Sequence, residues 1–202
     1  RFDEAEACFL RALTLQPANA QTLHNFGVLL LNAGRNVEAI PQLSRALELR
    51  PDAIETRFQL SIAQMRLARY EDAADGFRAV IAAAPTLAPA WSKLGLVLTA
   101  QGRASDAVAP LEKSLAIQPC DHEAWNIFGL THTTLGDHSA AIAAYERAVA
   151  IAPDFEAAWN SLALARQSAS QHESAITAFD RVLVLNPRHA DAAYNRANNL
   201  RI

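Results

Sequence analysis

Four histidines, His122, His132, His138 and His172, are the side chains best suited to hold a metal or pass a proton, and their spacing argues against both roles. A zinc site on one helix needs two imidazoles four residues apart on a shared face. No two of these four stand at that interval, which leaves them as solvated or helix-capping groups. Carboxylates recur at Asp72, Glu112 and Glu146, on segments of helical periodicity, where an exposed acid serves solubility and i, i+4 pairing. The glycines are isolated rather than gathered into a phosphate-cradling loop, and no Ser or Cys stands in the strained turn of a nucleophile. Without a convergent acid, base and nucleophile, the sequence predicts no catalysis, no metal and no cofactor. Cys8 and Cys120 form neither a ligand pair nor a disulfide framework and fit a reducing compartment.

The chain has 202 residues, enough for a substantial core. Hydrophobic residues make up 51% and aromatics only 7%, with Ala and Leu carrying most of the apolar content, so helices are expected throughout. The net charge of −3 offers no basic field to neutralise phosphates or anionic lipid, which argues against nucleic acid as a partner. No apolar run approaches the roughly 20 residues of a membrane-spanning helix, so no membrane insertion is expected. No secretory segment opens the chain, which leaves the cytoplasm as the default compartment. Starting at Arg1, the sequence reads as a piece of a longer protein. Among its basic residues only Lys93 and Lys113 are lysine, an Arg-rich and Ala-rich bias that points to a GC-rich bacterial genome.

What organises these residues is a fixed period. Pro17, Pro51, Pro85, Pro119, Pro153 and Pro187 stand 34 residues apart. Twelve residues before each comes an alanine (Ala5, Ala39, Ala73, Ala107, Ala141, Ala175), and eight before each a large side chain (Phe9, Leu43, Phe77, Leu111, Tyr145, Phe179). The four-residue offset puts both rows on one helical face. The ladder proline ends that helix, because it lacks an N–H and forces the residue before it out of the α region. That helix is the second of each unit; the first helix, which follows the proline, carries a small row, Gly27, Ser61, Gly95, Gly129, Ala163 and Ala197, where backbones can approach. A large apolar row (Phe26, Leu60, Leu94, Phe128, Leu162) lies beside it. Trp91, Trp125 and Trp159 sit one turn upstream, and Gly34, Gly102 and Gly136 mark left-handed helix caps.

Helices are predicted over 2–16, 20–33, 36–49, 54–67, 70–83, 88–101, 104–117, 122–135, 138–151, 156–169, 172–185 and 190–201, with no strands. Each hairpin is too small to bury its own apolar face, so neighbours must stack. Pro41 and Pro110 fall near helix starts, where a tightened or bent first turn is expected rather than a break.

A 34-residue unit with Trp91, Leu94, Gly95, Gly102, Ala107, Leu111 and Pro119 resembles the tetratricopeptide repeat. The resemblance covers essentially the whole chain as one array. It comprises a partial repeat at 1–19, full repeats at 20–53, 54–87, 88–121, 122–155 and 156–189, and a partial repeat at 190–202. A pentatricopeptide reading would require a 35-residue period and a basic, RNA-binding surface, neither of which is present. The implied fold is all-α, a right-handed superhelical solenoid of antiparallel helix pairs with about 12 helices. Departures from the pattern carry their own expectation. Arg57, Ser61 and Gln64 replace an aromatic, a glycine and a large apolar residue, so the unit at 54–87 is expected to pack loosely. In the last partial unit Ala193 and Arg196 replace large apolar side chains, and neither end of the array carries a polar capping helix.

The resemblance also implies that the first helix of each repeat lines a concave groove. On that assignment the groove carries an apolar row, Val28, Ile62, Leu96, Leu130 and Leu164. Beside it run His24, Phe58, Ser92, Asn126 and Asn160, with Tyr194 in the last unit, and a third row begins with Asn25, Gln59 and Lys93. Apolar side chains flanked by amides and hydroxyls suit an extended peptide, whose backbone needs hydrogen bonds while alternate side chains need pockets. The alternative is that the apolar row only seals neighbouring first helices together. Val28 and Ile62 occupy the positions where chaperone-adaptor relatives carry carboxylate-clamping asparagines, and Lys93 is the only lysine in a first helix, so that mode is not expected. The third row, continuing through Ile127, Ser161 and Asn195, is at best an interrupted asparagine ladder. The implied partner is a protein or peptide. Two further readings are a substrate-recruiting arm of a larger glycosyltransferase or sulfotransferase, by analogy alone, and self-association through the uncapped ends.

Overall fold

A computed structural model describes residues 2–201. Among them the chain is all-α, with 12 helices and no strand. They are α1 (Phe2–Leu15), α2 (Ala20–Asn32), α3 (Asn36–Leu49), α4 (Ile54–Arg66), α5 (Tyr70–Ala83) and α6 (Ala88–Ala100). The second half continues with α7 (Ala104–Ile117), α8 (His122–Thr134), α9 (His138–Ile151), α10 (Glu156–Ser168), α11 (His172–Leu185) and α12 (Ala190–Asn199). The chain divides into two compact units, 1–97 and 98–202. In the first, α2 packs against α3 and touches α4, and α4 packs against α5. In the second, α8 packs against α9 and touches α10, and α10 packs against α11, with α12 closing on α11.

The ladder prolines end their helices as the local sterics require. The residues before them, Arg50, Ala84, Gln118, Ala152 and Asn186, have φ of −138°, −138°, −131°, −127° and −137° and have left the helical region. The first helices end one residue earlier than the periodicity suggests, because the next residues are used in capping. Arg35 N–H donates to Leu30 C=O at 2.9 Å, and Arg69, Arg103, Asp137 and Gln171 repeat this six-to-one bond to Gln64, Leu98, His132 and Arg166. α12 stops two residues short of its expected end, in a turn after Asn199. α3 and α7 run unbroken through Pro41 and Pro110, and each opens with an i to i−3 bond, Glu38 N–H to Arg35 and Asp106 N–H to Arg103, so the first turn is tightened.

The capping motif needs a residue with positive φ. Gly34, Gly102 and Gly136 supply it at 75°, 76° and 77°. The same conformation is held by Ala68 at 56° and Ser170 at 58°, where the sequence offers no glycine. A Cβ in this region costs roughly 1–2 kcal/mol. Ala68→Gly and Ser170→Gly are therefore expected to raise stability by about 0.5–1 kcal/mol each after the greater chain entropy of glycine is subtracted. Urea unfolding followed by circular dichroism measures this, and a loss of stability would contradict the cap assignment.

Within each unit the core follows the predicted rows. Ala39, Leu43 and Phe26 are buried in the first unit, and Ala141, Tyr145, Ala175 and Phe179 in the second. The small row is a true close approach. A methyl built on Gly27 would fall 2.5 Å from Leu43 Cγ, and one on Gly129 would fall 2.6 Å from the Tyr145 ring. At Ser61 the pattern is inverted, because Gly76 on the facing helix gives up its side chain instead. A Cβ there would meet Ser61 Oγ at 2.0 Å. Ser61 is buried, and its hydroxyl donates to Arg57 C=O at 2.8 Å. A cleft of about 280 Å³ beside Leu60, Gln64 and Asp75 remains between α4 and α5, consistent with looser packing in this repeat.

Candidate functional site

The linkers that set the first helices are pinned by a repeated hydrogen bond. The indole N–H groups of Trp91, Trp125 and Trp159 donate to the carbonyls of Pro85, Pro119 and Pro153 at 2.9, 2.8 and 3.0 Å. Each indole thus covers the hairpin and also satisfies a carbonyl that the proline turn leaves without a helical partner. Arg57 stands at the tryptophan phase and makes the same bond, from its guanidinium to Pro51 C=O at 2.8 Å. The substitution that looked disruptive in the sequence keeps the polar half of the contact and loses only the aromatic half.

In the first unit the predicted groove residues have mixed surroundings. Val28, Ile62 and Leu96 are half-buried, as are Gln59 and Lys93, whereas Asn25 is exposed and accepts a hydrogen bond from Gln21 Nε2 at 2.9 Å. His24 Nδ1 lies 3.0 Å from Thr56 Oγ1 and so links α2 to α4. Phe58 packs edge-on against Phe77, with ring centroids 5.6 Å apart, and contributes to the hairpin as well as to its surface. Ser92 is buried, and its hydroxyl donates to Pro89 C=O at 3.1 Å, so this position serves the helix start rather than an open groove.

In the second unit the two predicted leucines are open. Leu130 on α8 and Leu164 on α10 are 42% and 41% exposed, more open than the half-buried members of the same row in the first unit. One helical turn before each stands an asparagine, Asn126 and Asn160, at equal positions in successive repeats. Their Oδ1 atoms are shielded from solvent and have no hydrogen-bond partner among the described residues. Ile127, in the third row, is buried. Behind this surface Thr131 is fully buried and bonds Ile127 C=O at 2.9 Å and Thr99 Oγ1 at 2.8 Å. Burial pushes the Tyr145 phenol above its ordinary range, partly opposed by hydrogen bonding with Thr133 and Ser161.

The histidines fall into local roles. His122 packs edge-on against Phe155, His132 against Phe128, and His172 Nδ1 lies 2.8 Å from Asn199 Oδ1. Among the described residues no three His, Cys, Asp or Glu side chains gather as ligands of a metal would. No described helix is long and apolar enough to cross a membrane. Cys8 and Cys120 are free and exposed.

Sequence reasoning missed the reciprocal role of Gly76, the carbonyl bond of Arg57, and a cleft of about 320 Å³ in the first unit lined by residues of α2, α3 and α4. Of the predicted residues only His24 borders that cleft. The partial signal for the cleft was Ala53, at a phase where later repeats carry Leu87, Asp121, Phe155 and His189, whereas the Ala20 phase also holds Ala88 and Ala190.

Family models described as tetratricopeptide repeat match residues 1–54 with 160–198, residues 30–96 and residues 122–155. No curated protein sequence matches the chain. Among solved structures, a thermophilic tetratricopeptide protein of Thermus thermophilus, TTC0263, is similar at 22% identity and a TM-score of 0.74, covering 91% of this chain and 100% of its own. YrrB, a tetratricopeptide protein with an unusual peptide-binding site, is similar at 21% identity and a TM-score of 0.69, covering 94% of this chain and 97% of its own. A MamA fragment from Desulfovibrio magneticus RS-1 is similar at 24% identity and a TM-score of 0.74, covering 85% of this chain and 97% of its own. The 34-residue period, the paired helices with their glycine-capped turns and the matching family models have one meaning: this chain belongs to the tetratricopeptide-repeat family, a fold of protein-interaction scaffolds.

Proposed function

We propose that the chain holds an extended peptide segment of a partner protein on its first helices and carries out no chemical step of its own. The observation that carries this reading is the pairing, on α8 and again on α10, of an exposed leucine with an asparagine whose acceptor is unsatisfied. An apolar side chain left in water and an amide left without a partner are both unfavourable in the free protein, and both are relieved by a strand-like ligand. The leucines supply apolar surface for a peptide's side chains, and the amides can turn to bond a peptide backbone. The similar YrrB structure is described as having an unusual peptide-binding site, which supports a peptide as the class of ligand.

Panning random dodecapeptides against the chain is expected to enrich sequences that share apolar residues at alternate positions. Binding of an enriched peptide, measured by calorimetry, should fall about a hundredfold in the double variant Leu130→Glu, Leu164→Glu. Full burial of each leucine's remaining surface is worth on the order of 1.5 kcal/mol. Helicity should be unchanged. Peptides that bind the variant as tightly as the parent would remove these two helices from the site.

A further inference from the structure

The residue that opens a first helix and the cap residue of the next first helix stand 33 positions apart in the repeat. At three such pairs both positions carry bulk: Ile54 with Leu87, His122 with Phe155, and Glu156 with His189. In the second unit these positions meet. The His122 and Phe155 rings pack edge-on with centroids 5.0 Å apart, and His189 Nε2 lies 3.7 Å from a Glu156 carboxylate oxygen. In the first unit the same two positions are Ala20, which opens α2, and Ala53, which caps α4 without a side-chain hydrogen bond. Two methyl groups cannot span the distance that an imidazole and a phenyl ring fill. A cleft of about 320 Å³ is left there, with Ala46 of α3 also in its wall and the His24–Thr56 hydrogen bond at its edge.

We infer that this cleft is a receptor for one aromatic side chain with a polar edge, tyrosine above all, presented by a partner peptide. The fold itself supplies the template, since a ring edge-on to a ring is what occupies the equivalent place between α8 and α10. The volume is enough for a phenol, a ligand pocket of the smallest useful class. The lining favours a polar edge over a plain hydrocarbon. Gln21, His24 and Thr56 give the cleft a polar wall, and a phenol hydroxyl can share in the His24–Thr56 hydrogen bond at its edge, which a leucine or phenylalanine side chain cannot. The charges nearby, Asp52 and Glu55 against Arg50, disfavour an anionic ligand. This inference uses different residues from the Leu130 and Leu164 surface, so either can fail while the other stands.

The test uses the 202-residue chain and N-acetyl-L-tyrosinamide as the probe, followed by amide and imidazole NMR shifts. Saturable shifts at His24, Thr56 and Ala53 are expected, with a dissociation constant on the order of a millimolar, as befits one side chain. N-acetyl-L-leucinamide should bind at least about tenfold more weakly. The double variant Ala20→His, Ala53→Phe installs the pair already found at 122 and 155, and it should lose the probe shifts by more than about tenfold while unfolding at a higher temperature. Should that variant fail to fold, Ala53→Phe alone carries the same expectation. The absence of saturable shifts in the parent would overturn the inference. So would equal binding of the leucine probe, or undiminished binding by the folded filled variant.

Discussion

Phe179→Ala is expected to lower the stability of the second unit by about 3–5 kcal/mol, the range seen when a large aromatic is deleted from a close-packed interior. Phe179 is fully buried, in a cluster with Leu162, Ala163, Ala175 and Val182. Three features of that cluster keep the cost high. The alanines are fixed to helix backbones and cannot extend into the void, the valine is branched at Cβ, and the small row has already brought the helices close together. In a stack where each hairpin contacts only its neighbours, such damage need not spread evenly. The residues of α10, α11 and α12 should exchange their amide hydrogens much faster than those of α8 and α9, and the urea dependence should become less steep as unfolding loses cooperativity. A destabilisation below about 1 kcal/mol, or uniform exchange across the second unit, would contradict the packing described for α10 and α11.

Replacing Asn126 and Asn160 together by leucine should stabilise the fold and weaken the function. An acceptor shielded from water and left without a partner costs about 1–3 kcal/mol. Leucine has a similar branched shape and no polar atom to desolvate. The double variant is expected to gain about 1–3 kcal/mol in urea unfolding, at the lower end if the larger methyl groups crowd their neighbours. Peptides that bind the parent should bind the variant at least about tenfold more weakly, because the amides that would meet the peptide backbone are gone. Opposed movements of stability and affinity would mark these positions as held for binding, the usual trade-off at a working site. A loss of stability would mean that the amides are structural, and unchanged affinity would separate them from the leucines beside them.

The departures from the repeat pattern show how a fold can keep its geometry while exchanging the residues that provide it. Arg57 carries the carbonyl bond that tryptophan carries in the next three repeats. Ser61 is accommodated because Gly76 faces it. Neither compensation makes the repeat at 54–87 equal to the others, since the cleft between α4 and α5 persists. The two helices still meet at the position where the glycine row predicts contact.

The order and number of helices, their proline-set ends and the left-handed caps at Gly34, Gly102 and Gly136 were legible in the sequence. Each follows from interactions within one turn of chain: the missing N–H of proline, the four-residue period of a helix face, and the lack of a Cβ at glycine. The candidate site was legible only as rows of positions. That Leu130 and Leu164 stand open while Ser92 is buried, that the Asn126 and Asn160 acceptors are unpaired, and that Ala20 and Ala53 leave a cleft were decided by tertiary structure. The exposure of a side chain depends on what a neighbouring helix, a separate stretch of the chain, presents to it. Identical phases in a 34-residue period therefore fix which residues face one another, and the volumes and polar groups of both partners decide whether the place between them is filled or left for a ligand.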